Sequence, residues 1–143
     1  MDTYAWIELF LGTAKGERTK RLISEAEEVR TPDIVLAEIS RKYHREALDP
    51  QSLRARLETI SSTTIVTGID TNLAVRAGPI YLELVEKAKR EHLNSPSLFD
   101  AIVLATTREH DSSVVTGDEH FRDLPETIFL HQSIFTVQPN VVR

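Results

Sequence analysis

The chain of 143 residues has the length of one ordinary domain, and its 41% hydrophobic and 27% charged residues are typical of a folded globular protein. A formal net charge of −5 argues against nucleic-acid binding through bulk positive charge, and the absence of cysteine excludes disulfides and thiolate metal sites. No apolar run approaches the roughly 20 residues of a membrane-spanning helix, and the first residues lack the pattern of a secretory signal. We therefore predict a single cytoplasmic domain over residues 1–143, with no membrane contact.

Helical and strand-like patterns alternate along the chain. Apolar spacing and capping residues predict six helices, over Thr3–Leu11, Glu17–Glu27, Ile34–Glu46, Pro50–Ile60, Thr71–His92 and Ser97–His110. Gly12–Gly16 is predicted to be a loop, Asp33 a helix cap, and Gly78-Pro79 a break or bend. Short apolar or β-branched runs predict strands in TTIVTGID, in Ser113–Thr116 and in Ile128–Leu130. Such strands, separated by helices, predict a parallel sheet covered on both faces.

Two acids in the stretch from Ser97 to Phe121 stand beside apolar runs. Asp118 follows directly on a predicted strand, and Asp100 lies near the start of a strongly apolar helix. In α/β folds, sites form at the carboxyl ends of strands and at the neighbouring helix starts. We therefore expect both acids to point towards one region.

Asp100 has a structural and a functional interpretation. The spacing Ser97-x-x-Asp100 fits a capping box, in which the aspartate bonds back to the cap. Pro96, however, fits the first helical position, which makes Ser95 the expected cap and moves Asp100 into the second turn. Because seven of the eight residues of Leu98–Ala105 are apolar, an ionised carboxylate there needs a partner, and we favour a functional role.

Three further acids are weaker signals when taken alone. Asp118 lies in a loop, where aspartate is common for its local hydrogen bonds. Glu38 has Arg41 and Lys42 three and four residues further on, so an ordinary surface ion pair is the favoured interpretation. Asp2 is expected to fray unless something holds it, because it is the second residue.

Taken together, the four acids form an ordered series that indicates a metal site. Four carboxylates in one pocket repel each other unless a cation neutralises them. Oxygen ligands select a hard ion, for which Mg²⁺ or Mn²⁺ fits best. Such an ion lowers the pKa of bound water and offsets the charge that builds on a phosphoryl group. The chemistry that this pattern indicates is hydrolysis of a phosphodiester.

Four stretches of the chain resemble the PIN-domain family, and especially the VapC-type toxins of prokaryotic toxin–antitoxin pairs. They are DTYAWIELF, TPDIVLAEIS, SLFDAIVLATT and VVTGDEHF, and the resemblance covers nearly the whole chain. It implies a three-layer α/β/α sandwich with a mainly parallel sheet, and a metal-dependent endoribonuclease site that cuts RNA. It also implies a homodimer and a small antitoxin whose C-terminal segment blocks the acidic pocket.

The resemblance carries over to particular residues. The catalytic and metal-binding acids that it implies are Asp2, Glu38, Asp100 and Asp118, bound to Mg²⁺ or Mn²⁺. Thr3 and Thr116 match the small hydroxyl residues that support such a site.

Two departures from the family pattern bear on activity. Relatives carry an apolar strand before the leading Asp, whereas only Met1 precedes Asp2 here, so the first strand is expected to be missing or truncated and Asp2 poorly held. Relatives also often carry another acid where this chain has His120, and Asp123 is a lower-ranked substitute for it. His120 itself is a candidate ligand or proton carrier, with solvation as the ordinary alternative.

Two other classes of protein stay open. A receiver-like signalling module needs an adjacent pair of acids and a late lysine, but this chain lacks the pair and its last lysine is Lys89. A catalytically impaired PIN-like protein that binds RNA or a partner fits the shortened start. Two basic clusters are candidates for phosphate contacts, although solvated helix faces explain them equally well; they are Arg41, Lys42 and Arg45, and Lys87, Lys89 and Arg90.

Overall fold

A computed structural model describes residues 1–131 of the chain. The helices are α1 (Thr3–Leu11), α2 (Ala14–Glu25), α3 (Asp33–Arg45), α4 (Pro50–Thr63), α5 (Thr71–Arg90) and α6 (Leu98–Glu109). The strands are β1 (Arg30–Pro32), β2 (Ile65–Thr67), β3 (Val114–Thr116) and β4 (Thr127–Phe129), and a short 3₁₀ turn, Glu119–Phe121, follows β3. No helix in this part of the chain combines the length and apolar character that crossing a membrane requires.

The strands form two parallel pairs, β1 with β2 and β3 with β4. The first two residues run between these pairs. The Met1 backbone nitrogen donates to the Arg30 carbonyl oxygen at 2.7 Å, and the Asp2 backbone nitrogen donates to the Val115 carbonyl oxygen at 3.4 Å. Parallel strands separated by helices confirm the predicted α/β class, and α1 is the first regular element of the described residues.

Helix α6 lies at the centre of the core. All seven residues of Ala101–Thr107 are buried, which explains why Ala101–Ala105 is apolar on every face, while the hydroxyls of Thr106 and Thr107 donate to backbone carbonyls one turn earlier. Helix α5 packs along it, and α3 contributes Val35 and Ile39 to the same cluster. Trp6 of α1 closes the core and stacks on Phe10 with ring centroids 5.9 Å apart. Each such apolar side chain stabilises the fold by roughly 1.5–3 kcal/mol relative to an exposed position.

The predicted loop over Gly12–Gly16 is wrong, because α2 already begins at Ala14. The Thr13 hydroxyl caps this helix by accepting from the Gly16 backbone nitrogen at 3.0 Å. Gly16 is needed for contact and not for a turn, since a Cβ there would lie 2.1 Å from the Glu8 carbonyl oxygen. The glycine that indicated a loop therefore marks the place where α2 touches α1.

Three smaller predictions also differ from the structure. Strand β1 lies just before Asp33, where no strand was predicted, because three residues that end in proline carry almost no strand signal. Asp33 is the first residue of α3 and not its cap, a position taken by Pro32 without a side-chain hydrogen bond. Helix α5 continues through Pro79 as one helix, so the break that was one of the two predicted outcomes at Gly78-Pro79 does not occur. The predicted strand over Ile128–Leu130 is confirmed one residue earlier, as β4.

Candidate active site

Asp2 lies between the two strand pairs and caps α1. Its Oδ1 accepts from the Thr3 backbone nitrogen at 2.7 Å, and its Oδ2 accepts from the Thr116 hydroxyl at 2.6 Å. The residue is only 5% exposed. The expectation that Asp2 is frayed and poorly held is therefore wrong, because a contact across 114 positions of the chain fixes its carboxylate.

Glu38 lies in the middle of α3 and points towards the start of α1. The Thr3 hydroxyl donates to its Oε2 at 2.6 Å. Lys42, which the surface-pair interpretation assigned to Glu38, instead pairs with Glu46 at 2.5 Å. That interpretation is wrong, and Thr3 joins Asp2 to Glu38 through its backbone nitrogen and its hydroxyl.

Asp100 belongs to a complete capping box at the start of α6. Its Oδ2 accepts from the Ser97 backbone nitrogen at 2.6 Å, and the Ser97 hydroxyl accepts from the Asp100 backbone nitrogen at 3.2 Å. The prediction that Ser95 caps this helix is wrong, since Ser97 does so. The capping box uses one carboxylate oxygen, and Oδ1 has no hydrogen-bond partner within residues 1–131. The structural and the functional interpretation are thus compatible.

Asp118 follows β3 and starts the 3₁₀ turn. Its Oδ1 accepts from the backbone nitrogen of His120 at 2.9 Å and lies 2.8 Å from the Nδ1 atom of that histidine. The hydroxyl of Thr116 accepts from the Asp118 backbone nitrogen at 3.0 Å, so one threonine contacts both Asp2 and Asp118. Asp123 has left-handed backbone angles, with φ at 63°, and is exposed.

His120 makes two contacts that could not be predicted from the sequence. Its Nε2 lies 2.8 Å from the Asn94 carbonyl oxygen, opposite the Nδ1 contact with Asp118. Because carbonyl and carboxylate oxygens accept hydrogen bonds, these two contacts favour the doubly protonated, cationic form of the imidazole. Burial lowers the pKa of His120, but the bonds to Asn94 and Asp118 outweigh burial and raise the pKa above its ordinary value. The only sequence signal was a histidine two residues after an acid.

The carboxylates share one electrostatic environment. Burial raises the pKa of Asp2 to about 7, the bond from Thr116 opposes this shift, and the charges of the three other acids add to it. Burial also raises the pKa of Glu38 and of Asp100, and nearby carboxylates raise both further. The contacts agree with this proximity. Thr3 contacts both Asp2 and Glu38, and Thr116 contacts both Asp2 and Asp118.

The donor set fits a hard divalent cation. One side-chain oxygen or nitrogen atom each of Asp100, Asp118 and His120 lies within 4.8 Å of the other two. Asp2 and Glu38 lie beside this group and are oriented by hydroxyls. Both nitrogens of His120 are engaged, so the available ligand atoms are carboxylate oxygens, which Mg²⁺ and Mn²⁺ prefer.

Tyr4 and Gly117 shape the rim of this acidic site. A Cβ at Gly117 would lie 2.3 Å from Cε1 of the Tyr4 ring, so only glycine lets the ring pack against the loop before Asp118. Lys15 of α2 donates to the Tyr4 hydroxyl. The glycine in VVTGDEHF was visible in the sequence, but the ring that requires it was not.

Comparison with known proteins decides the family. The family model described as PIN domain matches residues 1–127. The chain belongs to the PIN-domain family. This confirms the resemblance drawn from the four stretches and the predicted PIN-like α/β/α fold, and it excludes the receiver-like module. PIN domains are generally nucleases and typically use divalent metals.

One solved structure similar to this PIN domain is a toxin–antitoxin complex from Klebsiella pneumoniae. The TM-score is 0.61 at 25% sequence identity, over 92% of this chain and 96% of that chain. A comparison with curated protein sequences finds no significant match.

Proposed function

We propose that this PIN domain is a Mg²⁺- or Mn²⁺-dependent endoribonuclease and the toxin of a toxin–antitoxin pair. The observation that carries the proposal is the convergence of four acids. Thr3 contacts both Asp2 and Glu38, Thr116 contacts both Asp2 and Asp118, and ligand atoms of Asp100 and Asp118 lie within 4.8 Å of each other. These acids come from four separate segments of the chain. Concentrating negative charge around a buried acid costs stability unless a cation offsets it, which favours a metal site over a structural role.

The acids of such a site would bind the metal ion or its water, and the two threonines would orient the acids. Asp100 would hold the ion through its free Oδ1, and Asp118 through its carboxylate at the end of β3. Asp2 and Glu38 would hold the ion or its water, with Thr116 and Thr3 fixing their orientation. The bound ion supplies an activated water and offsets charge on the phosphoryl group.

The partners belong to the same proposal. The similar structure is named as a toxin–antitoxin complex, which supports a small antitoxin as a partner of this chain. A segment with cationic side chains would suit the acidic site, because it replaces the charge of the ion. An RNA substrate, a homodimer and a cytoplasmic location complete the proposal.

Asp100→Asn tests the proposal, and Ser97→Ala is its matched control. The amide keeps the size of the side chain but removes a charged ligand, so cleavage of an oligoribonucleotide with Mn²⁺ should fall by about a hundredfold or more. Ser97→Ala removes only the cap and should cost about 1 kcal/mol of unfolding free energy while cleavage persists. Circular dichroism would verify that both variants fold. Undiminished cleavage by Asp100→Asn would refute the metal-site assignment.

A second candidate is a PIN domain that binds RNA or a partner without cutting. The cationic ring of His120 favours it, because the ring already offsets the charge of Asp118 and so competes with a metal ion. Titration with Mn²⁺ separates the two functions. Binding below millimolar concentration supports the nuclease, and no binding supports the inert form.

A further inference from the structure

A pocket of about 310 Å³ opens beside the acidic site along α3. It is lined by Thr3, Glu38, Arg41, Lys42, Arg45 and Glu46. Because positions three, four and seven residues apart share one face of a helix, the three basic residues lie in a row that starts at Glu38. Thr3 and Glu38 belong both to this basic pocket and to the acidic site, so the two are continuous.

The basic pocket has guanidinium groups to offer an anion. Lys42 is engaged with Glu46 at 2.5 Å, whereas Arg41 and Arg45 have no carboxylate within 4.0 Å in the described part of the chain. Arg41 lines the same pocket as Glu38, which lies three residues before it on one helix face. Arg41 also lies 5.9 Å from the centre of the Phe99 ring, next to Asp100 in the chain.

The second basic cluster differs in this respect. Lys87 pairs with Glu91 at 2.6 Å and is buried, and Lys89 pairs with Glu86 at 3.0 Å. Two of its three positive charges are therefore offset by carboxylates of α5 and of its C-terminal cap. Of the two clusters in the sequence, only that on α3 presents two arginines without carboxylate partners beside the acids, among residues 1–131.

We propose that this basic pocket binds the backbone phosphate next to the scissile one in a single RNA strand. With a rise of 1.5 Å per residue, Arg41 lies about 5 Å and Arg45 about 10 Å along the helix from Glu38. A strand cut at the acidic site therefore lays its neighbouring phosphate over the arginines. Guanidinium groups bind phosphate through paired N–H donors, which a lysine cannot do. This inference rests on the proposed ribonuclease function and adds a subsite for the substrate.

Binding of a fluorescent 2′-O-methyl oligoribonucleotide tests the subsite without any cleavage. The double variant Arg41→Ala/Arg45→Ala should weaken binding about tenfold. It should also reduce the slope of log Kd against log salt concentration by about 0.7, the value for one lost phosphate contact. Arg90→Ala removes an exposed arginine of the second cluster and is the control. An equal loss in Arg90→Ala, or no loss in the double variant, would overturn the proposal.

Glu46→Gln supplies a test of opposite sign. It removes the carboxylate that engages Lys42 inside the basic pocket, so RNA should bind several-fold more tightly. Glu86→Gln makes the same change of net charge beside Lys89, away from the basic pocket, and should alter affinity less. Equal gains in the two variants would mean that overall charge, and not this pocket, governs binding.

Cleavage assays with Mn²⁺ separate this inference from the proposed function. The double arginine variant should lose about tenfold more activity on an oligoribonucleotide than on bis(p-nitrophenyl) phosphate, which has no neighbouring phosphate. The loss on the oligoribonucleotide should appear as a higher KM. If the unaltered protein binds RNA through the arginines but cuts neither substrate, the nuclease proposal fails and the subsite stands. If it cuts RNA and the double variant matches Arg90→Ala, the subsite fails and the nuclease stands.

Discussion

The two halves of the acidic site are held in different ways. The inner pair, Asp2 and Glu38, is oriented by hydroxyls that are 114 and 35 positions away in the sequence. The outer pair, Asp100 and Asp118, is held by backbone nitrogens three and two residues away. The orientation of the inner pair thus depends on the whole fold, and burial of its carboxylates costs free energy when they are ionised. The orientation of the outer pair depends on local turns. Changes to the inner pair should accordingly have the larger effects on stability.

The largest expected effect concerns Asp2 in the metal-free protein. Its pKa is about 7 when folded and 3.8 in its ordinary state, so between these values the folded chain holds a proton that the unfolded chain has lost. The stabilisation that this bound proton gives to the folded state is complete below pH 4 and is lost as the pH rises to 7. The free energy of unfolding should fall by about 4 kcal/mol over this range. The raised pKa values of Glu38, Asp100 and His120 act in the same direction.

Urea unfolding in EDTA from pH 4.5 to 8 measures this loss. Asp2→Asn has no titrating group at position 2. Its free energy of unfolding should therefore fall less between pH 4.5 and 8 than that of the unaltered protein. Excess Mn²⁺ at pH 7.5 should restore stability to the unaltered protein and much less to the variant. A metal-free stability that rises with pH from 5 to 7 would contradict the buried, proton-holding Asp2.

An intermediate effect is expected at Thr116, which is fully buried beneath the inner pair. Thr116→Val keeps the shape but leaves Asp2 and the Asp118 backbone nitrogen without their hydroxyl partner. Unpaired buried polar groups cost about 1–3 kcal/mol each, so the unfolding free energy should fall by that order. Thr116→Ser retains the hydroxyl and should lose less. Equal stabilities of the two variants would show that the hydroxyl contributes nothing.

The smallest effect is expected at the outer pair. His120→Ala frees the turn that carries Asp118 from the Asn94 carbonyl, and a loosened ligand should cost about tenfold in RNA cleavage. His110→Ala, at the end of α6, is the matched control because it removes a histidine outside the acidic site. If His120→Ala cleaves faster, the ring hinders metal binding and does not serve to position Asp118.

The same division explains what could be predicted from the sequence. Asp49-Pro50 at the start of α4 and the spacing of Ser97 and Asp100 carry local signals, and the structure uses them as caps. The hydrogen bond between Thr116 and Asp2 has no such signal in the sequence, because neither segment contains a pattern that indicates contact with the other. For the same reason Asp2 was expected to fray. The four acids themselves could be predicted from their order in the sequence and from the family resemblance. The contacts that orient the inner pair could not, because they form only when the chain folds.

Anomalous scattering from crystals grown with excess Mn²⁺ tests the central claim most directly. We expect one manganese peak or more between Asp100 and Asp118, within direct or water-mediated reach of Asp2 and Glu38. The peak should disappear in Asp100→Asn crystals that keep the fold. A well-ordered map with all four carboxylates in place and no manganese between them would contradict the metal site.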